Sequence, residues 1–319
     1  MIVVFSPTTA HELIVDVPRL VPGEVHRARR AVERIGGKGV NVARFCGRMG
    51  VGVRLVAIAD EPGALELAHE PDLALATLQV VASGVTARTD VICVEATGRA
   101  TVLNGTAPGP AQAVIEKAVR LLLDPLRPGD VLVLTGSLPL STPVDLYAHL
   151  ISAARERGAR CVLDASATWL AAALPAAADV VKVSTAELAG ARAVTPAAAW
   201  SMGRDAAPEP ASLIVTAGSR GARLWTAEGC WTLAAARQMA VNPIGAGDAV
   251  TAGLCAGLAN GSSVTDALAE GVAWGAAKVR AFDLALDPVL ARTLRAGVSV
   301  VRRATPRAAS RTGDTPPTP

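Results

Sequence analysis

The sequence predicts an α/β protein built on a doubly wound parallel sheet, and three observations predict it. Short apolar runs recur at 2–5, 53–58, 131–135, 161–163, 180–183 and 213–216. Most are unbroken rather than alternating, which suits parallel strands covered on both faces. Amphipathic helical patterns lie between them, and repeated strand–helix alternation winds helices onto both sides of one sheet. The composition supplies the core: of 319 residues 51% are apolar, 18% charged and 3% aromatic. A chain of this length can bury a sizeable core of Ala, Val and Leu without disulfides or metals.

The helices carry their own signals. Thr142 and Pro143 pair as N-cap and first-turn residue. Tyr147, Leu150, Ile151 and Ala154 follow at i, i+3, i+4 and i+7, and Gly158 stops the helix. Ala111, Val114, Ile115, Ala118, Val119 and Leu122 form a second stripe. Two stretches break the rhythm. Residues 12–34 hold Leu13, Ile14 and Val15 and then a charged, alternating segment from Val25 to Ile35, and residues 85–104 alternate with Thr and Gly. Both read as strands outside the main sheet, in a small sheet of their own. Residues 203–211 read as a surface loop, and the Pro-, Thr-, Arg- and Ser-rich segment 302–319 as a disordered tail. The domain therefore spans 1–301, and no internal repeat is visible.

Composition also excludes functions. A formal charge of +3 is too weak for a phosphate-backbone binder, and so few aromatics make no stacking platform for single strands. Positive charge is carried mostly by Arg, with Lys only at 38, 117, 182 and 278. Five scattered cysteines, at 46, 93, 161, 230 and 255, form no Cys-x-x-Cys pair, and Cys93 and Cys161, inside apolar runs, read as small buried hydrophobes. No secretory pattern opens the chain and no apolar run reaches the ~20 residues of a membrane span. A soluble, reducing, cytoplasmic setting follows, with no nucleic-acid or membrane partner.

The strongest chemical signal is Asn242-Pro243-Ile244-Gly245-Ala246-Gly247-Asp248, followed by a helical pattern. A glycine-rich turn entering a helix leaves backbone N–H groups without intrahelical partners, which with the helix dipole suits a phosphate. Asp248 falls in the first turn. A carboxylate beside a bound phosphate makes sense as a general base for an attacking hydroxyl. The other reading is a first-turn Asp that stabilises its own helix, with the glycines serving close packing. A second cluster, Gly36-Gly37-Lys38-Gly39-Val40-Asn41-Val42-Ala43, is not a P-loop, because no Ser or Thr follows Lys38. It still turns into a helix with Lys38 and Asn41 within reach of a ligand. His11, His26, His69 and His149 lack ligand spacing, and Trp225 and Trp231 flank an expected hairpin as core residues.

These two segments, in this order and separation, resemble the signatures of the ribokinase-like carbohydrate kinases of the phosphofructokinase-B type, in the branch of 1-phosphofructokinase and tagatose-6-phosphate kinase. Intermediate segments are similar too: Leu20 to Arg27, Thr86 to Thr89 with Arg88, Thr101 to Asn104, Thr135 to Pro139 and Val215 to Ala222. The resemblance implies a three-layer α/β sandwich with a mostly parallel central sheet and a small β-sheet lid formed by the two odd stretches. It implies ATP, magnesium and phosphoryl transfer to a hydroxyl of a phosphorylated ketohexose, with a homodimer through the lid. It casts Asp248 as base, with the amides of Gly245, Ala246 and Gly247 neutralising the transferring group. Lys38 and Arg88 would hold the phosphate on the sugar, and Gly37, Asn41, Asn104 and Ser137 would line the substrate. Thr216, Gly218, Ser219, Arg220, Gly221, Lys182 and Gly247 would hold the nucleotide, and Glu187 would act through water on the metal.

The chain departs from the family pattern in four places. Ala10 stands where an Asp grips sugar hydroxyls, and Ser184 replaces the Asn that precedes Glu187. Leu140 replaces a glycine after Leu138-Pro139, and the Gly-Gly pair is missing around Asp60-Glu61-Pro62. Two rival functions stand beside the first. One is a kinase of an unphosphorylated sugar or nucleoside, against which Lys38 and Arg88 speak. The other is a degenerate ligand-binding protein of regulatory use, against which the intact 245–248 segment speaks.

Overall fold

The computed structural model describes residues 1–165, 167–190 and 212–303. The expected loop at 203–211 and the tail from 304 lie outside them. The elements run β1 (Ile2–Ser6), β2 (Ala10–Val17), β3 (Arg30–Gly36), α1 (Lys38–Arg48), β4 (Val53–Ala59), α2 (Glu61–His69), β5 (Thr77–Ala82), β6 (Arg88–Glu95), β7 (Ala100–Asn104) and α3 (Gln112–Leu123). There follow β8 (Val131–Thr135), α4 (Leu146–Glu156), β9 (Arg160–Asp164), α5 (Ala167–Ala173), β10 (Val180–Ser184), α6 (Thr185–Gly190), β11 (Ser212–Thr216), β12 (Ala222–Thr226) and β13 (Gly229–Ala234). The last described elements are α7 (Ala246–Ala259), α8 (Val264–Lys278), α9 (Pro288–Ala296) and β14 (Ser299–Arg303).

Ten strands form the main sheet in the order β14-β13-β12-β11-β10-β9-β8-β1-β4-β5. From β5 to β11 every pair is parallel, and β12 to β14 close one edge antiparallel. All six expected strands are present. Successive residues of β1 serve opposite faces: Ile2 and Val4 enter a core with α1, α7 and α8, while Val3 and Phe5 enter one with α3 and α4. That two-sided burial is why the parallel strands read as unbroken apolar runs.

The odd stretches do form a separate sheet, in the order β3-β2-β6-β7. Its pairing is mixed: β2 runs parallel to β6 and antiparallel to β3, and β7 returns antiparallel to β6. Ile14, Ile92 and Val94 of its inner face pack on Phe282, with Val32, Val241 and Ile244 alongside. The small sheet therefore rests on the segment just before α7.

Three expectations are corrected. Helix α4 starts at Leu146 rather than at Pro143, because Pro143 to Leu146 form a separate turn closed by Leu146 N–H on the Pro143 carbonyl. Its stripe and its stop hold: Tyr147, Leu150, Ile151 and Ala154 are buried, and Gly158 follows at φ 69°. Second, the charged segment from Val25 to Ile35 is strand only from Arg30, and Val25 lies in an exposed connection between β2 and β3. Third, Arg302 and Arg303 belong to β14, where they pair with Trp231 and Cys230, and not to a tail. Trp225 and Trp231 stand on the expected hairpin and are partly buried.

Helices α7 and α8 cross at backbone distance. A Cβ on Gly253 would lie 2.8 Å from the Cα of Gly271, and one on Gly257 would lie 2.6 Å from the Cα of Ala267. Larger residues would force the axes apart, and this contact fixes α7 against the core.

Candidate active site

The carboxyl ends of β1, β4, β8, β9, β10 and β11 all open on one side, where ligands bind in wound α/β sheets. Helix α7 begins there. Gly245 holds the helix entry at φ 80°, a left-handed conformation that suits glycine, and the amides of Ala246 and Gly247 follow it. Asp248 sits in the first turn and is 6% exposed. Its Oδ2 accepts a 2.9 Å hydrogen bond from Asn41 Nδ2, which joins the two glycine-rich segments across the sheet. The Asn41 Oδ1 is buried and has no hydrogen-bond partner among the described residues.

Around Asp248 lies a charge cluster. Lys38 Nζ is 2.7 Å from Glu187 Oε1 and 3.5 Å from Asp164 Oδ1. Asp164 is fully buried, and its Oδ2 accepts from Lys182 Nζ at 2.8 Å and Thr251 Oγ1 at 2.7 Å. Burial pushes the Asp248 carboxyl up to about 6; Lys38 pulls against this, Asp164 adds to it, and Asn41 and Lys182 pull back. For Asp164 burial also pushes up, but Lys182 and Lys38 outweigh it and hold the carboxyl at about 2. Burial lowers Lys38, yet Asp164, Glu187 and Asp248 together hold its ammonium above the ordinary lysine value. The cluster thus keeps one carboxylate firmly ionised and leaves the other poised near neutrality, as a general base requires.

Two cavities flank this cluster. The first, about 230 Å³, lies between the small sheet and the strand ends, lined by Thr8, Thr9, Asp60, Arg88, Ser137 and Trp169 among others. Arg88 reaches Asp90 Oδ2 at 3.1 Å, so its guanidinium is held by a carboxylate at the rim. The second, about 370 Å³, is lined by Thr216, Gly218, Ser219, Gly221, Gly247 and Val250 with apolar residues of α8. Gly247 adjoins Asp248, and the stem of Lys38 lies against Gly136, next to Ser137. The charge cluster therefore adjoins both cavities through Gly136 and Gly247, although none of Lys38, Asp164, Lys182, Glu187 and Asp248 lines either one.

Not every expected residue lines them. Lys182 lies beneath Gly247, 2% exposed, where a Cβ on that glycine would meet its Nζ at 3.2 Å. Arg220 is exposed beside the second cavity, and Asn104 is exposed at the end of edge strand β7. Glu187 closes a reciprocal cap on α6: the Ser184 amide donates to Glu187 Oε2 at 2.8 Å and the Glu187 amide donates to Ser184 Oγ at 3.1 Å. Ser184 thus replaces the expected Asn with a helix cap. Ala10 is 1% exposed and lines neither cavity, while His11 pairs with Asp60 at 2.9 Å.

Sequence reasoning missed Asp164, Thr251 and Asn242. Asp164 ends an apolar strand, and nothing in its neighbours sets it apart before the strand order brings it beneath α7. Asn242 is fully buried: its side chain joins Phe282 O at 2.7 Å and the Ile244 amide at 3.0 Å.

Comparison with known proteins gives the family of the chain. The pfkB family carbohydrate kinase profile matches residues 1–288. A 1-phosphofructokinase of Rhodobacter capsulatus is 36% identical over 265 residues, which are 78% of this chain and 81% of that one. A 1-phosphofructokinase of Bacillus subtilis is 28% identical over 287 residues, 89% of this chain and 94% of that one. Among solved structures, phosphofructokinase-2 from Escherichia coli with substrates and products superposes with a TM-score of 0.80 at 23% identity, covering 92% of this chain and 98% of that one. The ribokinase of Thermotoga maritima gives 0.70 at 18%, covering 92% and 98%. By family profile and by sequence, this chain belongs to the pfkB family of carbohydrate kinases.

Proposed function

We propose that the protein transfers the γ-phosphoryl group of ATP to a hydroxyl of a phosphorylated ketohexose, as a 1-phosphofructokinase does. The observation that carries the reading is Asp248: a buried carboxyl near neutrality, at the start of a helix whose glycine-rich first turn suits a phosphoryl group, between two cavities. The apolar cavity beside Thr216 to Gly221 takes the nucleotide, and the cavity bearing Arg88 takes the sugar phosphate. Asp248 removes the proton of the attacking hydroxyl, and the orphaned Asn41 Oδ1 accepts from that hydroxyl or its neighbour. The Gly247 amide stabilises charge on the moving group without reorganising, whereas the Ala246 amide donates to the Pro243 carbonyl at 3.2 Å. Lys38 leaves Glu187 to balance that charge.

A magnesium ion fits these residues in one manner. Among the described residues no three His, Cys, Asp or Glu side chains form a metal cluster, so no protein-only cage exists. Magnesium keeps several waters and uses one or two carboxylates with substrate phosphates, so Glu187 would hold it through water beside the nucleotide. When bound, the ion would neutralise charge on the nucleotide phosphates. No described helix is long and apolar enough to cross a membrane, and a cytoplasmic site of action accords with ATP use. Exposed Leu103 and Val102 on edge strand β7 favour pairing of two lids in a homodimer.

ATP consumption across a panel of sugars and sugar phosphates tests the reading. Fructose 1-phosphate should give the largest kcat/KM. Preference for an unphosphorylated sugar would overturn the acceptor assignment.

A further inference from the structure

Lys278 is a buried cation that the reading above leaves without a role. It closes α8, is 0% exposed, and Nζ makes one hydrogen bond among the described residues, 2.9 Å to the backbone carbonyl of Asn242. A charged group buried with so little company is costly. Four charged groups face it: Arg34 from β3, Glu12 from β2, Asp283 from the loop after α8, and Asp248 from α7. Burial first, then Arg34, lower its ammonium to about 7, against the pull of the three carboxylates. A plain core position would be served by Met or Leu at no such cost.

The place of its partner explains why an ammonium stands there. Asn242 opens the segment that ends in the helix entry. Its amide donates to Val279 O at 3.1 Å and its side chain ties to Phe282 and Ile244. The Lys278 bond completes the set, so both backbone groups and both ends of the Asn242 side chain are engaged. Three residues on, Gly245 turns into α7 with the Ala246 and Gly247 amides and the base behind it.

We propose that Lys278 is a positioning residue for phosphoryl transfer: its ammonium fixes the Asn242 carbonyl, and so aims the 245–247 amides and Asp248 at the transferring group. The proposal rests on the kinase reading above, but not on the identity of the sugar. Without the ammonium the carbonyl is buried and unpaired, and the segment shifts to find a partner. A displacement of about 1 Å at such a site costs about a hundredfold in rate.

The test is Lys278→Met, which keeps the length and apolar stem and removes the charge and the donor. It is assayed with ATP and whichever acceptor the wild type phosphorylates best, beside wild-type protein; a wild type without any sugar substrate would indict the functional reading instead. The expected result is a kcat lowered about 10- to 100-fold with KM for ATP within about threefold, whatever the change in Tm, because the lost buried charge and the unpaired Asn242 carbonyl act on stability in opposite directions. A purely structural lysine would lower Tm and leave the kcat of the folded fraction alone. Should Lys278→Met not fold, Lys278→Gln is read by the same criteria. A folded variant with kcat within about threefold of wild type overturns the proposal, as does failure of both variants to fold.

Discussion

Replacing Asp248 by Asn separates chemistry from folding, because the two effects have opposite signs. The wild-type carboxyl is buried and its value rises from 3.8 to about 6. Raised values mean that folding favours the protonated form. The stability this contributes is complete below pH 3.8 and is lost as pH rises through 6. The difference corresponds to about 3 kcal/mol of strain carried at neutral pH. Asp248→Asn removes it, so the variant should melt several degrees above wild type at pH 7.5 and at the same temperature at pH 4. Activity should go the other way: kcat should fall by ~10² to 10⁴, the usual share of a general base. In wild type, kcat/KM should show an acid limb near pH 6, falling about tenfold for each pH unit below it. Thermal melts across pH and a coupled ADP assay give both readouts. A variant with near-normal kcat refutes the base, and one that loses Tm along with activity refutes the account of its burial.

Four further substitutions probe the surrounding parts. Arg88→Ala should raise KM for the sugar phosphate about 10- to 100-fold, the worth of a charged hydrogen-bond pair, with little change for ATP; equal effects on both substrates in steady-state kinetics would make Arg88 structural. Glu187→Gln should raise the free magnesium needed at fixed MgATP and, by weakening the α6 cap and the Lys38 pair, lower Tm modestly; an unchanged magnesium titration would remove Glu187 from the metal. For the Ser6 to Ala10 turn, whose Thr8 and Thr9 line the first cavity while Ala10 is buried and lines neither, Ala10→Asp should leave kcat/KM on fructose 1-phosphate within about twofold and lower Tm by burying a carboxylate, and His11→Ala should change kcat/KM little; a gain beyond about twofold in Ala10→Asp would place that side chain against the sugar.

The main sheet was legible because parallel strands buried on both faces must be apolar throughout, and runs such as 131–135 cannot be mistaken for surface. The small sheet was legible only as a break in rhythm, since one exposed face gives weak alternation and register is set by partners distant in sequence. The two glycine-rich segments announced themselves because a helix entry that receives phosphate needs small residues at fixed offsets. Asp164 did not, because a carboxylate at a strand end looks like any turn residue until Lys182, Lys38 and Thr251 converge on it. One signal was present and underused. In a chain that otherwise carries its positive charge on Arg, three of the four lysines, at 38, 182 and 278, stand in or beneath the site. Lys182 and Lys278 occupy compact buried places where an ammonium fits and the broad guanidinium fork does not, and Lys38 is half-buried between two carboxylates.

The backbone contact between α7 and α8 has a consequence for how the enzyme must move. With Gly253 against Gly271 there is no side-chain layer to shear, so the helix carrying the base cannot rock against its neighbour. The two will exchange amide hydrogens as one slow unit, whose opening requires global unfolding. Any closing around substrates falls to the small sheet, which rests through a few apolar side chains on the segments flanking this unit and is joined by its connections to β1, α1, β5 and α3 instead. Exchange in β2, β3, β6 and β7 should therefore be the faster class and the one that slows when substrates bind. The protein divides into an anvil that is never adjusted and a cover that does all the travelling.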